Sequence, residues 1–251
     1  MEVEIISDSS TFQKMRDEWN GLASNFHSPL LRHEWFAACI EAFSSKRHPP
    51  TIIAVRSGGR LRAAAPLVTM HLGLVPHMEI LGAEVFGEPC GFLYDSQAAL
   101  MTLFQAILER RRSLSLPRFK IEAQEARVLT TMLSTNWFSI NRSGASSLRV
   151  PLKSTWKEFD ASISPGRRSD LRRYRRRAEQ YGNVECEVVC PNLETLHPHL
   201  QELFRIEASG WKGQSGSAIL SSPSNFCFIN HYARSAAELG ILRLFFLRIG
   251  G

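Results

Sequence analysis

The stretch RRSDLRRYRRRAEQYG, residues 167–182, places seven arginines in sixteen positions against one aspartate and one glutamate, a local charge of +5. The whole chain has 30 basic and 24 acidic residues, a net +6, so everything outside this stretch sums to about +1. The sequence pI of about 9.3 is therefore a local property. A guanidinium is a permanently charged, forked donor suited to phosphate and carboxylate, which makes Arg168, Arg172, Arg173 and Arg176 candidate anion-binding groups. Three readings are open: a solvated helix face, a seat for a small anionic ligand, or a nucleic-acid arm. RNA recognition ordinarily adds exposed aromatics. Here Tyr174 and Tyr181 share a stripe with Leu171 and Ala178, at spacings of three, four and three. That pattern predicts an amphipathic helix with the stripe buried and the arginines outside, started by Ser164-Pro165 or by Ser169 and stopped by Gly182.

Glu207 is the candidate general base, a role that needs burial to bring a carboxylate towards neutrality. No Ser/His/Asp or Cys/His arrangement has the context a nucleophile requires. In VECEVVC, alternation puts Val184, Cys186, Val188 and Cys190 on one strand face, with Glu185 and Glu187 opposite. No histidine pair at ligand spacing accompanies the cysteines, so they read as buried packing and no metal site is expected. His197 and His199 read as a loop and a helix start.

These groups need a scaffold. At 251 residues, 44% hydrophobic and 22% charged, the chain has the composition of a globular protein with two domains. The start, MEVEIISDSS, is acidic where a signal peptide is basic, and no apolar run approaches the roughly 20 residues that span a bilayer. Five scattered cysteines, an odd number, point to a reducing compartment, the cytoplasm.

Periodicity predicts a mixed α/β fold. Residues 3–7 read as a strand, and Ser10 caps a helix with Phe12, Met15, Trp19 and Leu22 on one face. Residues 28–43 read as a second helix. Residues 51–57 and 60–68 read as a hairpin about Gly58-Gly59. Strands follow at 78–83 and 118–123, with helices at 96–112 and 125–135. STWKEFDASI opens a new helical segment, which puts the domain boundary near 153 and divides the chain into 1–152 and 153–251.

The end of the chain repeats its beginning. LFFLRIGG (244–251) matches IIAVRSGG (52–59) position by position. Upstream, each copy has Ser-Pro (28–29 and 222–223), a helix rich in aromatic and small residues, and an earlier helix that contains or reaches a tryptophan (Trp19; Trp211). The offsets, 244 − 52 = 192 and 222 − 28 = 194, are nearly equal, as in a repeated unit. The second copy stops on the Gly-Gly turn, where a terminal strand would be an unpaired apolar edge. The expectation is that the chain is a fragment whose natural form continues through the rest of the repeat.

Strand, two helices, strand, Gly-turn and strand resembles the start of the acyl-CoA N-acyltransferase (GNAT) fold, and two such units in tandem resemble the FemAB-like arrangement. More narrowly, the chain is similar to CelD-like acetyltransferases of cellulose biosynthesis. This rests on SPLLRHEWFAAC, PPTIIAVRSGGRLRAAAPL, LYD at 93–95, the arginine helix, EASGWKGQSGSAI (207–219) and GILRLFFLRIGG. The resemblance implies tandem GNAT-like domains, the second truncated, and direct acyl transfer, typically from acetyl-CoA or another acyl-CoA. The acceptor would be an amine or hydroxyl on a small-molecule, polysaccharide-related or glycan-precursor compound of the cell envelope. It places Trp211 and Lys212 where the second domain approaches its acceptor, to stack and to pair with an anion. The alternative is that Trp211 is the core counterpart of Trp19. Tyr94 and Asp95 match a position at the first domain's cleft, while a helix-entry turn capped by Asp95 or Ser96 explains them equally. The family's pyrophosphate loop, Gln/Arg-x-x-Gly-x-Gly/Ala, is missing from FGEPCGFLYDSQAAL in the first copy. In the second copy it would lie beyond residue 251, so the expected enzyme is the full-length protein and the fragment is expected to be inactive. Gly213 and Gly216 give a Gly-x-x-Gly look after a helix rather than a strand. The competing function is a FemAB-like transferase fed by aminoacyl-tRNA, or an RNA-binding protein, using residues 167–182.

Overall fold

The computed structural model describes residues 1–251 except 46, 90, 118, 120–121, 134–136, 143 and 145–149, and omits the side chains of 72, 84 and 86. Strand β1 (Glu2–Ile6) leads into α1 (Ser9–Lys14) and α2 (Arg16–Ala23), then α3 (His33–Phe43), β2 (Pro50–Ser57), β3 (Arg60–Leu72) and β4 (Val75–Ile80). A short α4 (Ala83–Phe86), β5 (Leu93–Tyr94), α5 (Gln97–Glu109), β6 (Ser113–Ser115) and α6 (Gln124–Met132) follow. The later elements are α7 (Trp156–Ser162), α8 (Pro165–Glu179), β7 (Val184–Val189), α9 (Leu196–Ser209), α10 (Trp211–Gln214), α11 (Pro223–Glu238) and β8 (Leu244–Ile249).

The larger sheet runs β1-β2-β3-β4-β6, with β5 also paired to β3. Its neighbours are antiparallel except the parallel pair β4–β6, so the sheet is mixed. β7 and β8 form a separate antiparallel pair. By internal contacts the chain divides into one unit of Met1–Gly144 with Leu200–Ala236, and another of Ala145–His199 with Ala237–Gly251. The boundary at 153 expected from sequence thus falls inside the second unit, and much of α9 to α11 packs with the first.

Local chemistry explains the elements. Gly58 (φ 56°) and Gly59 (φ 76°) take the two left-handed positions of a tight hairpin turn, and β2 and β3 pair from Ser57↔Arg60. The helix expected from Ser10 is two helices. Asp8, not Ser10, caps the first, accepting the Thr11 N–H at 2.8 Å, and the backbone turns at Met15 (ψ 0°). Ser10 donates its hydroxyl to Asp8 instead. The predicted apolar face survives the break: Phe12, Met15, Trp19 and Leu22 are all buried. A short strand lies at Ser113–Ser115, while residues 118, 120 and 121 of the strand expected at 118–123 fall outside the described residues.

The repeat has a structural counterpart. In both copies a leading strand pairs antiparallel with the strand before Gly-Gly, with Glu2 opposite Arg56 and Glu185 opposite Arg248. In both, the arginine reaches diagonally to the next glutamate: Arg56 to Glu4 at 2.8 Å and Arg248 to Glu187 at 2.7 Å. Within the first unit the equivalent helices α3 and α11 meet through Trp35, whose ring lies 4.9 Å from Phe228 and 5.1 Å from Tyr232.

Two buried titratable groups on α3 make the fold sensitive to acid. His33 stacks on Phe12 at 4.3 Å, and its Nε2 lies 2.9 Å from the Phe12 carbonyl, so Nε2 carries the proton of a neutral ring. Burial holds its pKa below the usual 6.5. For Glu34 burial works upward, but its own backbone N–H and hydrogen bonds from Arg16 (2.9 Å) and Asn20 (2.9 Å) outweigh this and hold the carboxyl below 4.5. Both folded pKa values lie below the unfolded ones. The unfolded chain therefore binds more protons, and stability falls as pH drops through 6.5 and again through 4.5. Denaturation midpoints are expected to decline from about pH 7 downward. His33→Gln should flatten the upper part of that decline.

Candidate functional site

Helix α9 buries Leu200 and Phe204, and the same face carries Glu207 one turn further on. The Glu207 side chain is 16% exposed and both its oxygens are engaged: Oε1 meets the Lys212 ammonium at 2.9 Å, and Oε2 accepts the Ile219 N–H at 2.8 Å. One carboxylate thus fastens both ends of segment 212–219. Gly213 is required there, because a Cβ would stand 1.9 Å from the Ala208 carbonyl oxygen. The segment is otherwise closed on itself. The Lys212 carbonyl accepts from Ser217 (2.9 Å) and Ala218 (3.1 Å), that of Trp211 from Ser215 (2.9 Å), and that of Gly213 from Gly216 (3.2 Å). Trp211, by contrast, is 71% exposed. It is not a core counterpart of Trp19, which is fully buried; the buried aromatic of α9 is Phe204.

The same hydrogen bonds test whether Gly213 to Gly216 can cradle a CoA pyrophosphate. Phosphate loops offer free backbone N–H groups. Here the amides of 214–219 are spent inside the segment, and Gly213 serves close packing. This segment does not fit the group.

Tyr94 lies opposite Ala63 on β5 and touches Phe26 edge-on at 5.3 Å. Burial first, then the charge of Glu125 and a hydrogen bond to it, push the Tyr94 phenol up to about 12. Asp95 makes a 2.5 Å charge contact with Arg62 Nε, whose N–H is not aligned for a hydrogen bond. Ser96 is the cap of α5, accepting from Ala99 at 3.3 Å. Among the described residues no hydrogen bond, ion pair or ring contact joins Tyr94 or Asp95 to Glu207, Trp211 or Lys212, so the structure does not gather the five into one constellation.

Helix α8 starts as expected at Ser164-Pro165, but its stripe is not buried. Leu171 is 43% exposed, Tyr174 51% and Tyr181 84%. Spacing sets which side is apolar, not whether anything covers it. Among the described residues the sheet of this unit has two strands, too narrow to enclose α8. Asp170 takes Arg173 (2.8 Å), Glu179 takes Arg175 (2.9 Å), and Asp160 lies 3.9 Å from Arg168. Arg167, Arg172, Arg176 and Arg177 make no ion pair among the described residues. Leu171→Ala is accordingly expected to cost about 1 kcal/mol or less, read as a shift in the urea midpoint.

The strand cysteines also differ from expectation. Alternation holds, but the face bearing Cys186 and Val188, with Phe245 and Leu247 of β8, is exposed, while Leu244 and Phe246 on the opposite face are buried. Cys190 is exposed too. Both faces of LFFLRI are apolar, so the pattern alone could not choose between them. Among the described residues no cluster of His, Cys, Asp and Glu could hold a metal ion, and no helix is long and apolar enough to cross a membrane.

Comparison with known proteins bears on residues 165–251. They match the family model described as an acetyltransferase (GNAT) domain. No curated protein matches the chain. Among solved structures it is similar to TTHA1254 from Thermus thermophilus, at 13% identity and a TM-score of 0.36, over 61% of this chain and 100% of that one. That likeness is too weak to argue from. Residues 165–251, about a third of the chain, thus carry the pattern of a GNAT acetyltransferase domain, and acyl transfer is the general chemistry this supports.

Proposed function

We propose that the protein is an acyltransferase moving an acyl group, from a CoA thioester, to an amine or hydroxyl of a polysaccharide- or cell-envelope-related acceptor. The acetyltransferase match over residues 165–251 carries this reading. Residues 207–219 are its acceptor side. Trp211 offers an uncovered indole face for stacking. Lys212 is the cation for an anionic group on the acceptor. An acceptor that draws Lys212 away frees Oε1 of Glu207, which then takes the proton released as the amine or hydroxyl attacks the thioester carbonyl; the C–S bond breaks and CoA leaves as the thiolate. Tyr94 and Asp95 are proposed to line a cleft of the first domain, 1–152, the partner of the acetyltransferase domain 153–251. The tandem, CelD-like or FemAB-like arrangement and a cytoplasmic location belong to the same reading.

The test is genetic and chemical. Deleting the gene should lower the acyl content of the cell-surface polysaccharide, read by NMR of the purified material. The wild-type gene should restore it and Glu207→Gln should not. Unchanged acyl content in the deletion contradicts the proposal. Restoration that depends on aminoacyl-tRNA would favour the FemAB-like donor.

A further inference from the structure

Helices α7 and α8 carry a surface to which the proposed acyl transfer assigns no role. Between them lies a groove of about 490 Å³ with an apolar lining that includes Trp156, Phe159, Ile163 and Leu171, and with Lys153 and Arg167 among its walls. The surrounding apolar side chains are open to solvent: Leu152 is 90% exposed, Trp156 74% and Val150 64%. Trp156 and Phe159 stand 5.4 Å apart, and neither α7 nor α8 has a buried residue. Beside this apolar strip runs the +5 stretch, with Arg167, Arg172, Arg176 and Arg177 outside any ion pair among the described residues.

We propose that α7 and α8 dock the protein on an anionic lipid bilayer, lying in the interface without spanning it. Aliphatic, tryptophan and tyrosine side chains beside a row of arginines are what such an interface takes up: the apolar groups enter the acyl boundary and the guanidiniums meet lipid phosphates. Charge complementarity selects this occupant. A second copy of the chain would bring two arginine rows together. RNA would use the arginines and the tyrosines, but it gives Val150, Leu152 and Leu171 nothing to enter.

The experiment is co-sedimentation of the full chain with vesicles of phosphatidylcholine alone or mixed with phosphatidylglycerol. Binding is expected to the mixed vesicles only, and to fall away at about 0.5 M salt. Arg172→Gln with Arg176→Gln should lower the partition coefficient on the order of tenfold or more. Leu152→Ser with Trp156→Ser should lower it as well. Both pairs are exposed, and circular dichroism and melting should match the wild type. Failure to bind mixed vesicles, or equal binding to neutral ones, overturns the proposal. So does single-stranded RNA binding that the arginine pair weakens and the apolar pair does not, or self-association in sedimentation that the apolar pair abolishes.

Discussion

Alanine at Trp19 is expected to lower stability by about 3–5 kcal/mol, and alanine at Trp211 to leave it within about 0.5 kcal/mol. Trp19 is wholly enclosed, packed edge-on against Phe12 at 5.1 Å and Phe36 at 5.6 Å, and its indole N–H donates to the Leu31 carbonyl at 3.0 Å. Truncation there empties an aromatic-sized volume among side chains that α1 and α3 hold in place. Trp211 encloses nothing, so its loss should appear in acceptor binding and not in the urea midpoint. Equal costs at the two sites would restore Trp211 to the core and remove the case for its contact with the acceptor.

Gly213→Ala has the second large effect. The new methyl would overlap the Ala208 carbonyl of the preceding helix, a backbone atom that cannot rotate aside. Overpacking of this kind costs about 1–3 kcal/mol. Relief requires α10 to move, which pulls Lys212 from Glu207 and turns Trp211. Complementation should fail while the unit still folds, with a lowered melting temperature. Wild-type melting and function together would show that the segment is looser than its hydrogen bonds imply.

The sequence made parts of this account legible for definite reasons. Phe12, Met15, Trp19 and Leu22 declared one face because helical spacing survives even a break at Met15. Gly58-Gly59 declared a hairpin because the turn needs two left-handed residues. The repeat was visible at 244–251, yet its leading strand was overlooked. EVEII (2–6) matches ECEVV (185–189) at an offset of 183, not 192, since nine more residues separate the paired strands in the second copy. The diagonal Arg–Glu pair common to both copies could have pointed to it. What stayed hidden were questions of cover. No spacing rule says whether α8 is enclosed, nor which of two apolar faces of β8 meets the core. Glu207 was found as a carboxylate near Trp211, but its second partner, the Ile219 amide, lies twelve residues on and is brought near only by the turn at Gly213.

The central claim is that residues 207–219 address the acceptor and not the donor's phosphates. It is tested most directly by NMR of the Trp211 indole N–H, assigned with Trp211→Phe, during titration with an amino-sugar phosphate and, separately, with CoA. The account predicts that the sugar shifts the Trp211 signal saturably while CoA leaves it and the amides of 213–219 unmoved. Saturable movement of those amides by CoA, with Trp211 indifferent to the sugar, would contradict it.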